Sequence, residues 1–211
     1  VPNRRKIEEE NILLSYSKID SSASIIGSRL YGNVCIGKDC KVINSIMSGN
    51  ITLHDNASVR KNVHISSDSS VTIGRFTTIN GPNTDITCAI NKVEIGAFCS
   101  IARNVVIQEF NHDFGRFTSY FIEQNMMGKT DFSEPVSNGN ILVGNDVWIG
   151  THCVVLGGST IGDGAVANSV VVGDIPPYAI AGGSPARVLR YRFDKTRIKE
   201  IQESEWWLHI N

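Results

Sequence analysis

The stretch Val143-Gly-Asn-Asp-Val-Trp-Ile149-Gly-Thr-His-Cys-Val-Val155-Leu-Gly-Gly-Ser-Thr-Ile161-Gly162 sets a branched aliphatic residue at every sixth position. Glycine follows three of the four anchors, as Gly144, Gly150 and Gly162. The same spacing recurs upstream in Leu30, Ile36 and Val42, in Leu53, Val59, Ile65 and Val71, and in Ile95, Ile101 and Ile107. Ile73-Gly74 and Ile79 restart the register two residues later.

A period of six does not fit the helical repeat of 3.6, but it is a multiple of the strand repeat of two. Glycine, asparagine and aspartate recur inside the units, so no strand runs long. Short strand, turn and short strand, repeated, is the arrangement that satisfies both facts. One aliphatic side chain per unit points inward, and stacked units share a narrow core, as in a β-solenoid. Four runs with one spacing argue against a glycine-rich β-sandwich. Parallel strand crossovers are normally right-handed, and the spacing itself carries no other sign of hand.

Outward from the repeat, residues 1–18 read as a helical or irregular N-terminal lead-in in which Ile7, Leu13 and Leu14 pack on the first coil. Residues 19–107 are β-helix coils and 141–186 are the C-terminal coils. Between them 108–140 breaks the pattern. A patternless insertion of that length is functional or disordered, and its six aromatics, Phe110, Phe114, Phe117, Tyr120 and Phe121 among them, argue for order. Asp174-Ile-Pro-Pro-Tyr178 stops the repeat, since proline cannot donate to a ladder. Residues 187–211 read as a C-terminal helix with Ile198, Ile201, Trp206, Trp207 and Leu208 on its apolar stripe.

The 211 residues carry a formal net charge of −1 and 19% charged residues, which gives no overall footprint for nucleic acid or an anionic membrane. No apolar run reaches the length of a membrane span, and the polar start does not read as a signal peptide. Five cysteines (Cys35, Cys40, Cys88, Cys99, Cys153), odd in number and without a CxxC pair, fit reduced thiols in a cytoplasmic protein, with Cys99 and Cys153 as small core filler.

The segments Ile141-Leu-Val-Gly-Asn-Asp-Val-Trp-Ile-Gly150, Thr160-Ile-Gly-Asp-Gly164, Asp174-Ile-Pro-Pro-Tyr178 and Ala181-Gly-Gly-Ser-Pro-Ala-Arg187 resemble the C-terminal half of hexapeptide-repeat acetyltransferases. Asn111-His112, with Thr118-Ser-Tyr-Phe121, resembles the active-site loop of the branch that acetylates xenobiotics and surface-glycan sugars. The resemblance covers roughly 95–208; before that only the repeat matches. It implies a left-handed parallel β-helix with a long active-site loop and a C-terminal α-helix. It also implies a homotrimer with sites between subunits, and acetyl-CoA as cosubstrate with no metal.

Direct acetyl transfer to a hydroxyl needs a base, and a neutral imidazole suits that task near pH 7. The resemblance assigns it to His112. It places Thr151 and Ala167 along the coenzyme A groove, and Arg187 and Arg190 where basic side chains meet its phosphates, since an arginine fork grips phosphate oxygens at two points. Asn111, Asp113, Tyr120 and Trp148 are candidates for the acceptor pocket. Asp113, Glu109 and Glu123 each stand as candidates to orient the imidazole or bind the acceptor, and His152 reads as structural. A lysine common in the family before the exit aspartate is Gly173 here, and the coil through Val166 is two residues short. Drug-acetylating members of the family have few N-terminal coils, so with some five coils before the loop the resemblance implies a sugar acceptor on a surface glycan or its precursor. Antibiotic acetylation, N-acetylation of a nucleotide amino sugar and an inactive scaffold are the alternatives. A zinc enzyme of this architecture needs three clustered histidines, and the five here are scattered.

Overall fold

A computed structural model describes residues 17–130 and 133–210, together with the backbone of 12–14. The six-residue anchors mark successive faces of a three-sided parallel β-helix. One face stacks Ile25, Val42, Val59, Ile79, Ile101, Ile149, Ala167 and Ala181 in register. The second stacks Leu30, Met47, Ile65, Ile86, Ile107, Val155 and Val171. The third stacks Ile19, Ile36, Leu53, Ile73, Ile95, Val143, Ile161 and Ile175. Nearly all of these side chains are buried, and they form one continuous core. A second inward residue two positions before each anchor fills the rest. Cys40, Ala57, Cys99, Val147, Ala165 and Ala179 form one such column. Cys40, Cys99 and Cys153 are therefore core filler, and their thiols donate to neighbouring carbonyls, as Cys99 does to Gly144 at 3.1 Å.

Each corner is built differently. Between the third and first faces, the glycines that follow five of the eight anchors (Gly37, Gly74, Gly96, Gly144 and Gly162) are needed for closeness rather than for a left-handed backbone. A Cβ on Gly96 would lie 2.5 Å from the carbonyl oxygen of Gly144 in the next coil. The positive φ falls three residues after the anchor, as at Asn56, Phe76, Phe98, Asp146 and Tyr178. Phe76 and Phe98 hold a conformation that bulky residues rarely adopt. Their rings stack at 4.9 Å, and Trp206 packs on Phe98 at 5.0 Å. Between the first and second faces a column of left-handed residues, Asn44, Asn62, Asn83, Asn104 and His152, turns the chain, a role asparagine fills through its short polar side chain.

Two boundaries differ from the sequence expectation. The ladder begins before residue 19, because strands Ile12–Leu14 and Lys18–Ile19 already pair in parallel with Arg29–Tyr31 and Val34–Ile36. The expected packing of Ile7, Leu13 and Leu14 lies outside the described side chains. At the other end, 187–211 is not all helix. Strand Arg187–Tyr191 turns back antiparallel on Ala179–Gly182, which covers the open edge of the last coil. Helix α2 (Lys195–Ser204) follows, its first turn capped by the Asp194 carboxylate accepting from the Arg197 N–H. A short turn of helix follows at Trp206–Leu208. Ile198 and Ile201 are half-buried, Trp207 is buried and Leu208 is exposed, so the apolar stripe is docked at its tryptophans. Arg192 anchors this segment, bonding Asp146 at 3.0 Å and the Gly164 carbonyl at 2.6 Å.

Candidate active site

Anchor spacing on the first face locates the insertion. Ile101 and Ile149 pair as neighbours in the stack yet lie 48 residues apart, whereas Ile149 and Ala167 lie 18 apart. The extra chain leaves the corner between the second and third faces after strand Val106–Gln108 and rejoins at Ile141–Val143. It is folded: Phe110–His112 pairs antiparallel with Pro135–Ser137, and helix α1 covers Ile122–Met127.

His112 ends the first strand of this ribbon, exposed. Its Nδ1 lies 2.6 Å from the carbonyl oxygen of Ser119. A carbonyl only accepts, so Nδ1 carries the proton and Nε2 keeps its lone pair. The ring stacks on Phe121 with centroids 4.0 Å apart and planes 5° from parallel. A backbone carbonyl and an aromatic face thus fix tautomer and tilt. The sequence offered three carboxylates for that task, and all three are engaged elsewhere. Glu109 is fully buried; its Oε2 accepts from the N–H groups of Ala89 and Ile90 at 3.1 and 3.0 Å, and its Oε1 accepts from Asn91 at 3.1 Å. Burial works against its charge, but hydrogen bonds from Ser137 and the 89–91 turn outweigh that and hold the carboxyl below the usual range. Asp113 accepts from the Gly115 N–H at 2.8 Å. Glu123 is clamped by Lys129 at 2.7 Å and Arg116 at 2.8 Å, and these two cations lower its pKa. Glu134, which the sequence reading passed over, accepts from the Gln124 N–H at 2.8 Å and lies 3.7 Å from Arg116, tying α1 to the ribbon.

The other candidates are spread along the helix. Asn111 is half-buried in the ribbon and Tyr120 is about half exposed. Trp148 stands outward on the first face, also about half exposed. Thr151 lies at the corner between the first and second faces. Its hydroxyl donates to the Arg103 carbonyl at 2.9 Å and lies 3.1 Å from Nδ1 of His152, whose Nε2 is 3.4 Å from the Asn104 amide. His152 is thus a member of the corner column. Ala167 is fully buried with its side chain in the core, and its carbonyl accepts from the Gly150 N–H and the Cys153 thiol. Its side chain is the inward anchor of its strand, so any part Ala167 has in a groove falls to its backbone. Arg187 and Arg190 are exposed on the antiparallel strand at the C-terminal end.

These positions are not on one side of the chain. Three residues separate Glu109, buried at the corner, from His112, a reach of at most about 11 Å. A face of six residues is roughly 20 Å wide, and Trp148 lies on the face opposite that corner. The first and second faces' corner, with Thr151, is a full face away. One chain therefore presents the imidazole, with Asn111, Asp113 and Tyr120 on the same insertion, on one side, and Trp148, Thr151, Arg187 and Arg190 on another. Among the described residues no cluster of three or more metal-ligating side chains occurs.

No protein-family model matches the chain. It is 36% identical over 126 residues to a chloramphenicol acetyltransferase of Morganella morganii, a match covering 56% of this chain and 60% of that protein. It is 35% identical over 125 residues to a probable macrolide acetyltransferase of Lysinibacillus sphaericus, covering 56% of this chain and 69% of that protein. A putative lipopolysaccharide biosynthesis O-acetyl transferase of Escherichia coli (strain K12), WbbJ, matches over 166 residues at 31%, covering 72% of this chain and 66% of that protein. The chain thus spans about 60% of the length of the chloramphenicol acetyltransferase. Among solved structures the polysialic acid O-acetyltransferase OatWY aligns with a TM-score of 0.62 at 23% identity, over 92% of this chain and 95% of that one. The fold they share is a left-handed parallel β-helix. The chain belongs to the hexapeptide-repeat acetyltransferase family.

Proposed function

We propose that the protein is an acetyl-CoA-dependent O-acetyltransferase acting on a sugar hydroxyl of a surface glycan or its precursor, with His112 as general base. The observation that carries this reading is the Ser119 carbonyl against Nδ1 of His112, which leaves Nε2 as a proton acceptor. As the acceptor oxygen bonds to the thioester carbon, its proton passes to Nε2. The carbon–sulfur bond breaks, and the imidazolium returns the proton to the departing thiolate. A base so placed contributes about 10²- to 10⁴-fold.

The site is completed in a homotrimer. His112 of one protomer meets the outward face of the next, where Trp148 flanks the acceptor and Thr151, Arg187 and Arg190 hold coenzyme A, the arginines gripping its phosphates. The separation of these positions within one chain supports that arrangement. Ala167, its side chain turned into the core, lines the groove through its backbone. An acetyl-CoA-dependent reaction on a glycan precursor fits a cytoplasmic location.

A sugar acceptor is favoured over a drug because the match to WbbJ runs over 166 residues, against 126 for the chloramphenicol enzyme, and because five first-face anchors precede the loop. Chloramphenicol or macrolide acetylation, the activities named for the other two relatives, is the second reading. Labelled acetyl-CoA, tested with sugar, polysaccharide, amino-sugar nucleotide and drug panels, separates them. Label transferred to sugar hydroxyls supports the proposal; label transferred only to a drug or an amine overturns it.

A further inference from the structure

We infer that the acceptor is an anionic polysaccharide laid along the corner between the first and second faces, held by Arg29, Arg60, Lys61 and Arg103. This rests on the acetyl-transfer reading above and names its substrate class. The chain as a whole has 21 acidic and 20 basic residues, yet the turns of this corner are basic. Its turns are Gly27-Ser-Arg29, Asn44-Ser-Ile46, Arg60-Lys-Asn-Val63, Gly81-Pro-Asn-Thr84 and Ala102-Arg-Asn-Val105, with four cations and no carboxylate. Arg29, Lys61 and Arg103 are exposed and Arg60 is half-buried. Among the described residues none of the four forms an ion pair with a carboxylate. Asp85, three rungs along the same column as Arg29, is engaged by His64 at 3.6 Å and by Thr87 at 2.9 Å.

The column has a direction. Strands stack about 4.8 Å apart, so the five rungs from Arg29 to Arg103 extend roughly 19 Å, longer than a single sugar and suited to a chain. It ends at Thr151, whose hydroxyl bonds the Arg103 carbonyl. Arg187 and Arg190, the proposed phosphate contacts, lie at the far C-terminal end, so an acceptor approaching Thr151 from the N-terminal coils meets this corner. Carboxylates repeating along a glycan suit arginine forks, and the amides of Asn44 and Asn62 beside them suit hydroxyl groups. The corner carries no aromatic residue on which bases would stack, which favours a glycan over single-stranded nucleic acid.

The test is fluorescence anisotropy of labelled polyglucuronate oligomers with the full chain, across a salt series. Dextran of equal length and single-stranded DNA of equal charge run in parallel, and coenzyme A binding is measured on the same samples. Polyglucuronate should bind, weaken with salt, and bind at least tenfold more weakly to the triple variant Arg60→Gln, Lys61→Gln, Arg103→Gln, whose coenzyme A affinity is unchanged. The single variant Arg103→Gln should show a smaller loss. Equal binding of dextran, equal or tighter binding of DNA, or a triple variant that binds polyglucuronate as the parent does overturns the inference. Failure of the parent to bind coenzyme A sinks the acetyl-transfer reading instead, whatever the glycan result.

Discussion

The carbonyl oxygen of Ser119 sits 2.6 Å from Nδ1 of His112 and decides which ring nitrogen carries the proton. If Nε2 is the base, removing the ring removes the proton acceptor and nothing that folds the coils, because His112 is exposed on the ribbon. His112→Ala should lower turnover at least about a hundredfold while coenzyme A binding and the melting temperature stay close to the parent. Near-parental turnover in a folded variant would show that another group takes the proton.

Glu109 shows why chain order misleads about that site. It lies three residues from the imidazole in sequence, yet its carboxylate is spent on the turn at Ala89–Asn91 in the coil below. Glu109→Gln replaces a charged acceptor of several donors and should cost about 1.5–3 kcal/mol, read as a lowered melting temperature with the active-site loop otherwise intact. The folded carboxyl has a depressed pKa, so it binds its proton less readily than the unfolded chain does. Its stabilisation is full above the ordinary glutamate value of about 4.3 and is lost as pH falls through the lower folded value. A melting series from neutral to acid pH should show this loss in the parent and a flatter acid limb in the glutamine variant.

What the sequence disclosed follows from what a six-residue period measures. Val143, Ile149, Val155 and Ile161 are consecutive inward anchors on consecutive faces. The restart at Ile73 is also real: Val71 and Ile73 both point inward, and Ile73 pairs with Leu53, so the corner before them is two residues longer. The left hand is absent from the spacing, which is the same for either hand; only the family motifs carried it. The partner of His112 was hidden because a carbonyl belongs to every residue, so no side-chain pattern marks Ser119. Phe121 was visible as a loop aromatic, but its stacking on the ring was not. The strand at Arg187–Tyr191 was missed because all five of its residues are exposed, leaving no inward alternation to read.

Two glycines separate close approach from mere absence of a side chain. A Cβ on Gly96 meets the Gly144 backbone at 2.5 Å, while one on Gly173 meets nothing within 4 Å, and neither has a positive φ. Gly96→Ala must push two coils apart and should destabilise by about 1–3 kcal/mol. Gly173→Ala should be neutral or stabilise by up to about 1 kcal/mol, through the unfolded chain. Thermal melting of the two variants side by side tests the contrast; equal losses would contradict it.

The thiols sort by burial. Desolvation pushes Cys99 up to about 12, and Cys40 and Cys153 up to about 11, and Cys88 is also raised by burial. Cys35 alone of the five is half-buried rather than buried. A thiolate reagent at pH 8 should modify at most one cysteine of the native protein, at Cys35, and all five after denaturation. Peptide mapping of the labelled native chain reads the site, and fast labelling of Cys99 or Cys153 would mean that the core opens.

Within one chain the imidazole and Trp148 occupy a corner and the face opposite it, so a shared site predicts that two inactive variants rescue each other. His112→Ala supplies an intact outward face, and Trp148→Ala together with Arg190→Ala supplies an intact imidazole. In a cyclic trimer that contains both, one of the three interfaces joins the intact imidazole to the intact face, one joins both lesions and one retains a single lesion. Random mixing at equal amounts leaves about a quarter of all sites whole, so coexpressed variants should recover on the order of a quarter of parental turnover. Each alone stays near background. If each site were built within a single chain, no arrangement of the two variants would restore one, and the mixture would be as inactive as its parts.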